Sequence, residues 1–158
     1  MATNFYMANT YTQLYIQFIF AVQDRKCVIR PDWEIELYKY ITGIAQNHKH
    51  KMIAINGMPD HLHVFLGLDP KESPSNCMKF IKQSSSEWIN KKQLTSSKFS
   101  WQEGFGAFSY GRSQIDAVYK YIEKQKVHHQ KKSFINEYKE FLKAYDINFD
   151  DKYLFKEI

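Results

Sequence analysis

Residues 56–68 read NGMPDHLHVFLGL, and the second half of this stretch has the alternation of a buried β-strand. Successive side chains of a strand point to opposite faces, so one face of this segment is apolar throughout. That apolar face consists of Leu62, Val64, Leu66 and Leu68. The opposite face presents His61 and His63 side by side, next to Phe65. Two imidazoles placed together either bind a divalent cation or pack in the core, and this segment alone leaves both open.

The segments on either side of this strand complete an α+β fold. Their apolar residues either alternate, as in a strand, or recur at helical spacing. The predicted elements are a strand over 11–22, a helix over 31–47, strands over 51–56 and 61–68, a helix over 75–92, a kinked strand over 98–110, a helix over about 113–130 and a final helix over 133–145. The order β-α-β-β-α-β predicts a ferredoxin-like antiparallel sheet with additional C-terminal helices beyond it.

The composition limits the class of protein and its partners. The chain has 158 residues and a net charge of +5, which suits one globular domain with polyanionic partners, although charge alone does not decide for nucleic acid. No apolar run reaches the ~20 residues of a membrane helix. Cys27 and Cys77 belong to no C-x-x-C pair, so neither a disulfide framework nor a cysteine zinc site is indicated. A reducing, cytoplasmic location is the simplest expectation.

A second group of polar residues lies in the late helical segment 118–132, VYKYIEKQKVHHQKK. Tyr121 and Gln125 are four residues apart, so on a continuous helix they share one face. A tyrosine hydroxyl has a pKa of about 10, and it becomes a nucleophile near neutral pH only where cations or a metal favour the phenolate. The surrounding lysines could supply that field. The segment is therefore either an ordinary solvated helix or the carrier of a tyrosine nucleophile.

Three segments together resemble a known family. They read GMPDHLHVFL, WQEGFGAFSY and YIEKQKVHHQKKSFINEYKEFLKAYDI. In this order and spacing they are similar to the single-tyrosine HUH transposases of small bacterial insertion sequences, the insertion sequence 200/605 group. The letters HLH at residues 61–63 match the family's motif of histidine, hydrophobic residue, histidine, and Tyr121 with Gln125 matches its Y-x-x-x-Q motif. Residues 1–10 are then expected to form a flexible leader, and residues 11–158 a single HUH transposase domain.

The resemblance implies an enzyme that cleaves and rejoins single-stranded DNA. Tyr121 would be the nucleophile, forming a 5′-phosphotyrosine intermediate and freeing a 3′-hydroxyl. His61, His63 and Gln125 would bind Mg²⁺ or Mn²⁺ beside the scissile phosphate. The resemblance further implies a substrate with DNA hairpins at the ends of the element, and a homodimer that needs neither a nucleotide cofactor nor a membrane.

Basic side chains near these motifs are candidate DNA contacts. Lys120 and Lys124 lie next to the tyrosine in sequence and are the stronger candidates for binding the DNA backbone. The further candidates, each of which also suits a solvated charge, are Lys49, Lys51 and Arg25. The letters HKH at residues 48–50 indicate a solvated basic corner rather than a second metal site.

Three rival functions stay open on the sequence. A domesticated relative would bind DNA hairpins without transposing, although all four motif positions are intact. An RNA-binding module with the same sheet topology would carry exposed aromatic residues in place of the two histidines. A metal-dependent nuclease would use water as the nucleophile with the help of a carboxylate, for which Asp60 and Glu123 are available.

Overall fold

The computed structural model describes residues 10–128 and 133–150. Within these ranges the elements are β1 (Tyr15–Ala21), α1 (Pro31–Asn47), β2 (Lys51–Met58), β3 (His61–Gly67), α2 (Pro74–Lys91), β4 (Gly106–Tyr110), α3 (Ile115–Glu123), α4 (Gln125–His128) and α5 (Phe134–Ala144). None of the described helices is both long and apolar enough to cross a membrane. The leader predicted over residues 1–10 lies outside the described residues except for Thr10, and it stays a prediction.

The strands form one antiparallel sheet in the order β2-β3-β1-β4. This is the ferredoxin-like arrangement that the sequence predicts, in which two helices connect the strands across one face. Strand β3 pairs with both β1 and β2 and so lies inside the sheet. Its residue His63 stands opposite Ile19 on β1 and Asn56 on β2. Pairing on both sides fixes the register of β3 and hence the direction of its histidines.

Helices α1 and α2 cover the apolar face of the sheet. The predicted alternation is confirmed, because Leu62, Val64 and Leu66 all point into this core and are fully buried. The helices contribute Trp33, Leu37, Ile41 and Ala45 from α1 and Cys77, Met78, Ile81 and Ile89 from α2. Full burial of a large aliphatic side chain stabilises a fold by about 1.5–3 kcal/mol. This core anchors the strand from which the histidines project in the other direction.

Helices α3 and α5 cover the opposite face, where the histidines lie. On one side of this face, Val118 and Ile122 of α3 pack on Phe65. On the other side, α5 completes a cluster made of Ile19, Ala21, Phe108, Phe134, Tyr138 and Leu142. His61 and His63 are both 0% exposed. The helices beyond the ferredoxin-like core thus turn an open sheet face into a buried polar site.

The third predicted helix is not continuous in the structure. Periodicity predicts one helix over about 113–130, but α3 ends at Glu123 and α4 begins at Gln125. Lys124, between them, has φ −97° and ψ 16°, which departs from helical geometry. A break of one residue leaves the apolar spacing on either side almost unchanged, so periodicity does not reveal it.

The strand predicted over 98–110 is shorter than expected. Only Gly106–Tyr110 forms β4, whereas Trp101 makes an isolated bridge to Val22. Gly104, between the two, has a φ of +88°, which lies outside extended geometry and suits glycine. The kink predicted at the glycines is confirmed, and it leaves β4 as a short edge strand beside β1.

Gly57 permits the close approach of β2 and β3 just before the histidines. A Cβ atom at this position would lie 2.2 Å from the carbonyl oxygen of His61 and 2.8 Å from a methyl carbon of Leu62. Those distances leave no room for any side chain, and the nearest atom belongs to the backbone. Gly43, in the middle of α1, has nothing within 4 Å of such a Cβ and serves as a contrast.

We expect Gly57→Ala and Gly43→Ala to change stability in opposite directions. Alanine at position 57 forces the hairpin apart and should lower the free energy of unfolding by about 1–3 kcal/mol. Alanine at position 43 removes the entropic penalty of a helical glycine and should raise the free energy of unfolding by about 0.5–1 kcal/mol. Urea unfolding of the two variants beside the wild type measures both. A stable Gly57→Ala protein would contradict the described hairpin.

Candidate active site

The four residues predicted to act in catalysis lie together within one chain. His61 and His63 project from the same face of β3, with their ring centroids 5.3 Å apart. Tyr121 on α3 meets His63 edge to face, with 5.9 Å between the ring centroids. Gln125, the first residue of α4, is fully buried and reaches Glu137, which in turn contacts His63. The fold therefore gathers side chains from β3, α3, α4 and α5 at one place.

His61 is held in one orientation by its neighbour Asp60. Nδ1 of the imidazole lies 2.7 Å from Oδ1 of Asp60. A carboxylate only accepts hydrogen bonds, so Nδ1 carries the hydrogen and Nε2 of the neutral ring keeps its lone pair. Asp60 is bound in turn by Arg25, whose Nε donates at 2.9 Å. Burial opposes ionisation of Asp60, but the hydrogen bonds and charges of His61 and Arg25 prevail and lower its pKa to about 2.

His63 is held in the same way by Gln17 on β1. Nδ1 of His63 donates to Oε1 of Gln17 at 2.7 Å, and Nε2 of Gln17 donates to the hydroxyl of Tyr110 at 2.8 Å. Nε2 of His63 is therefore also the nitrogen left to bind an incoming group. Sequence analysis missed Gln17, which is fully buried. The sequence does mark Gln17 in one way: it is an amide between Ile16 and Phe18, in a segment that otherwise has the pattern of a core strand.

Asn56 fixes the break between α3 and α4. Its side-chain amide donates to the carbonyl oxygens of Ile122 at 2.9 Å and Glu123 at 3.2 Å, the last two residues of α3. Lys126 donates to the carbonyl oxygen of Gly57 at 2.8 Å from the other side of the break. Strand β2 thus satisfies carbonyls that a continuous helix would bond internally. These contacts set where Gln125 starts the next helix.

Gln125 offers an oxygen to the buried cluster. Its Nε2 donates to Oε2 of Glu137 at 3.4 Å, whereas its Oε1 is buried and accepts no hydrogen bond from any residue in the described ranges. Leaving a buried acceptor unsatisfied costs about 1–3 kcal/mol. Amide oxygens are ligands that hard divalent cations accept. The position of this oxygen is therefore consistent with the ligand role predicted for Gln125.

Glu137 on α5 is a member of the cluster that sequence analysis missed. It is 2% exposed, and its Oε1 lies 3.3 Å from Nε2 of His63. One ligand atom from each of His61, His63 and Glu137 lies within 4.8 Å of the others, close enough for all three to hold one metal ion. Its signal in the sequence was a charge on the apolar stripe of a helix, beside Phe134 and Tyr138.

The first turn of α5 docks directly on His61. The Phe134 ring stacks on the imidazole, with 4.2 Å between centroids, and the Arg25 guanidinium carbon lies 4.4 Å from the centroid of the same phenyl ring. Arg25 is 9% exposed and paired with Asp60. The prediction that Arg25 is a solvated charge is therefore wrong. Its described contacts join the 3₁₀ turn Gln23–Arg25, which follows β1, to the turn before β3 and to α5.

A cavity of about 360 Å³ lies beside Tyr121. Its lining combines aromatic rings with carboxylates and includes Tyr110, Tyr121, Phe141, Tyr145, Glu137 and Glu140. The ring of Tyr121 also meets Phe141 edge to face, with centroids 5.8 Å apart. Aromatic rings are surfaces on which unstacked nucleobases stack, so the cavity suits a nucleotide placed next to the tyrosine.

The family model described as "Transposase IS200 like" matches residues 10–125. This range holds both histidines of β3 together with Tyr121 and Gln125. The chain belongs to this family. No curated protein sequence matches it. Family membership makes this chain an IS200-like transposase, and His61, His63, Tyr121 and Gln125 lie in the part of the chain that the family model covers, whereas Glu137 lies beyond it.

Two solved structures share the fold of this IS200-like transposase. One is a candidate transposase from Deinococcus radiodurans R1, 21% identical, with a TM-score of 0.60 over 79% of this chain and 98% of the other. The second is a REP-associated tyrosine transposase bound to a REP hairpin, 16% identical, with a TM-score of 0.59 over 76% of this chain and 71% of the other. At these identities the likeness concerns the fold.

The lysines predicted to contact DNA lie on two separate surfaces. Lys120 and Lys124 are both exposed. Lys120 directly precedes Tyr121 in α3, and Lys124 follows the last residue of that helix. Lys49 and Lys51 are also exposed, but Lys51 pairs with Gly67, at the end of the β2–β3 ladder opposite to His61. A strand rises about 3.3 Å per residue, so this second surface is roughly 20 Å along the ladder from His61 and roughly 13 Å from His63.

The solvated basic corner predicted at residues 48–50 is wrong for His50, which is buried. His48 Nδ1 and His50 Nε2 lie 3.0 Å and 2.7 Å from the two oxygens of Glu72, and His50 is 4% exposed. His50 and Glu72 are, together with Cys77, close enough to hold a metal ion, but Nδ1 of His50 accepts from the backbone amide of Asp69 at 2.9 Å. Nε2 of His50 therefore carries a hydrogen, and the group is a hydrogen-bond network. Burial also raises the pKa of the Cys77 thiol to about 12.

We expect Asn56→Ala to loosen the junction between α3 and α4. Losing both amide hydrogen bonds should lower the free energy of unfolding by about 1 kcal/mol and speed amide hydrogen exchange around residues 122–126. Asn47→Ala, at an exposed position at the end of α1, is the control and should change the free energy of unfolding by less than about 0.5 kcal/mol. Equal exchange rates in wild type and Asn56→Ala would contradict this role.

Proposed function

We propose that this IS200-like transposase cleaves and rejoins single-stranded DNA through Tyr121, with a 5′-phosphotyrosine intermediate. The observation that carries the proposal is the placement of Tyr121, whose ring lies edge to face against His63 and borders the aromatic cavity. A nucleophile, two imidazoles and an open cavity in one place can position and stabilise a phosphoryl group during transfer. Family membership supports the same reaction class.

The residues present fit a divalent metal ion. His61 and His63 would offer Nε2 because their Nδ1 atoms are occupied by Asp60 and Gln17, and Gln125 would offer the buried Oε1. Mg²⁺ or Mn²⁺ held there would act as a Lewis acid that polarises and orients the scissile phosphate. Two nitrogens and an amide oxygen leave coordination positions for phosphate oxygens.

The protein's own part in the reaction is to supply and aim the nucleophile. The oxygen of Tyr121 forms a bond to the scissile phosphorus, the bond from phosphorus to the 3′ oxygen breaks, and the proton lost by the tyrosine ends on the departing 3′-hydroxyl. Contacts with His63 and Phe141 hold the tyrosine ring in place. One phosphoester replaces another, so attack by a 3′-hydroxyl on the intermediate can rejoin strands without ATP.

The proposed substrate is single-stranded DNA with a hairpin, as at the ends of an insertion sequence. The REP-associated tyrosine transposase that shares this fold is bound to a REP hairpin. Lys120 and Lys124 would attract the DNA backbone next to Tyr121, and the aromatic cavity would receive an unstacked base. We place the reaction on DNA in the bacterial cytoplasm. The homodimer implied by the family resemblance stays a prediction.

A second candidate function is cleavage by water in place of Tyr121. It is favoured by one observation, the buried carboxylate of Glu137 beside His63, which could serve as a general base. The carboxylates named from the sequence suit that role less well. Asp60 is occupied by His61 and Arg25, and Glu123 is exposed at the end of α3.

A covalent-adduct assay separates these reactions. Labelled single-stranded hairpins from the DNA flanking the gene are incubated with Mn²⁺ and the protein, then resolved on a denaturing gel. Wild type should form a DNA–protein adduct that disappears in Tyr121→Phe and on chelation of the metal. Tyr119→Phe, an exposed tyrosine on the same helix, is the matched control and should retain the adduct.

The other outcomes of this assay identify the rivals. Cleavage that survives in Tyr121→Phe without an adduct would replace the proposal with the water-dependent nuclease. Hairpin binding with neither cleavage nor adduct would replace it with a domesticated, hairpin-binding relative. An adduct that persists in Tyr121→Phe but is lost in Tyr119→Phe would move the nucleophile to the neighbouring tyrosine.

The two lysines beside the site should contribute to DNA affinity through charge alone. Replacing Lys120 or Lys124 by Gln should weaken single-strand binding at all sequences and reduce the slope of log K against log salt by about 0.7 for each phosphate that the variant no longer neutralises. Lys39→Gln, at an exposed position on α1, is the control. Fluorescence anisotropy across a salt series measures the slope, and an unchanged slope in both variants would remove these residues from the DNA surface.

A further inference from the structure

Glu137 faces an atom that cannot donate to it in the neutral histidine. Nδ1 of His63 donates to Gln17, so Nε2 of the neutral ring has a lone pair, and it lies 3.3 Å from Oε1 of Glu137. A carboxylate oxygen is also an acceptor. Two acceptors in contact inside a protein repel each other unless a positive charge lies with them, such as a proton on the ring or a metal cation.

The rest of the cluster favours the metal cation. A proton on His63 would satisfy that one pair, but it would leave Oε1 of Gln125 buried without a donor among the described residues. A cation satisfies all of these acceptors together. His61, His63 and Glu137 already have ligand atoms within 4.8 Å of one another, and Gln125 contacts the same carboxylate.

We infer that Glu137 is a ligand of the metal ion held by His61 and His63, and that the metal thereby ties helix α5 to the sheet. This inference rests on the metal site of the proposed function and adds a residue that neither the HUH motif nor the Y-x-x-x-Q motif contains. Glu137 lies beyond residues 10–125, which the family model matches. The carboxylate comes from an element outside the ferredoxin-like core.

The carboxylate also changes which ions the site prefers. Two imidazoles alone suit Zn²⁺ and other borderline ions, whereas carboxylate and amide oxygens suit Mg²⁺ and Mn²⁺. Adding Glu137 to Gln125 makes half of the protein ligands hard oxygen donors. The single negative charge leaves a divalent ion with net positive charge toward a phosphate. Glu137 would therefore direct the site toward the ions used in phosphoryl transfer.

Helix α5 meets the sheet through apolar contacts around Glu137. It packs through an apolar stripe, and Phe134 stacks on His61 itself. A metal bound to residues of β3 and to Glu137 would link the two elements directly. A ligand that binds only the docked arrangement stabilises that arrangement by mass action. Metal binding and the docking of α5 should accordingly be coupled.

Mn²⁺ binding to the DNA-free protein tests the inference. Titration followed by electron paramagnetic resonance reports free Mn²⁺, and Glu137→Gln should bind it at least about tenfold more weakly than wild type. Glu36→Gln removes the same charge from an exposed position on α1, the helix that packs on the opposite face of the sheet, and should retain wild-type affinity. Competition with Zn²⁺ gives a second readout, in which Glu137→Gln should lose more affinity for Mn²⁺ than for Zn²⁺.

Hydrogen exchange keeps the test independent of how well the variant folds. In wild type, Mn²⁺ should slow amide exchange across 134–144, and His63→Ala should abolish this protection. Two results would overturn the role of Glu137: wild-type Mn²⁺ affinity in Glu137→Gln, or amide exchange rates in α5 that do not change when the wild type binds Mn²⁺. Either result would be compatible with a metal site made of His61, His63 and Gln125. Absence of Mn²⁺ binding to wild type would overturn the metal site of the proposed function as well.

Discussion

The orientation of the two buried imidazoles depends on two hydrogen bonds, from Nδ1 of His61 to Asp60 and from Nδ1 of His63 to Gln17. They determine which ring nitrogen is left to bind, and they stop the rings from turning. Neither acceptor comes from the helices that cover the site, since Asp60 lies in the β2–β3 turn and Gln17 on β1. The strands and the turn between β2 and β3 therefore orient the two imidazoles, and the helices add the remaining side chains of the site.

The two faces of the sheet have different roles. One face is packed by α1 and α2 with apolar side chains and provides stability. The other buries imidazole, amide and carboxylate groups under α3, α4 and α5, an arrangement that is unfavourable unless each polar group has a partner. The phosphoryl transfer proposed for this member of the IS200-like transposase family would take place at that second face, because such a reaction needs preorganised groups shielded from water.

The sequence was informative wherever a pattern is local. Alternation in β3 correctly gave the direction of Leu62 and His63, and the order of strands and helices gave the sheet topology. It was uninformative where a polar side chain from one element caps another. Asn56 ends α3 through its side-chain amide, and nothing in the periodicity of 113–130 indicates a partner on a strand far away in sequence. The solvated character assumed for Arg25 and His50 failed for the same reason.

The sequence by itself determined the antiparallel α+β sheet, the shared face of His61 and His63, and the family to which the chain belongs, because periodicity and motif spacing are properties of the chain alone. Only the tertiary structure decided that Glu137 joins those histidines and that Gln17 orients one of them. Both contacts join elements that are distant in sequence. Their geometry arises from strand register and helix docking, which are set by packing across the whole fold rather than by any neighbouring residue.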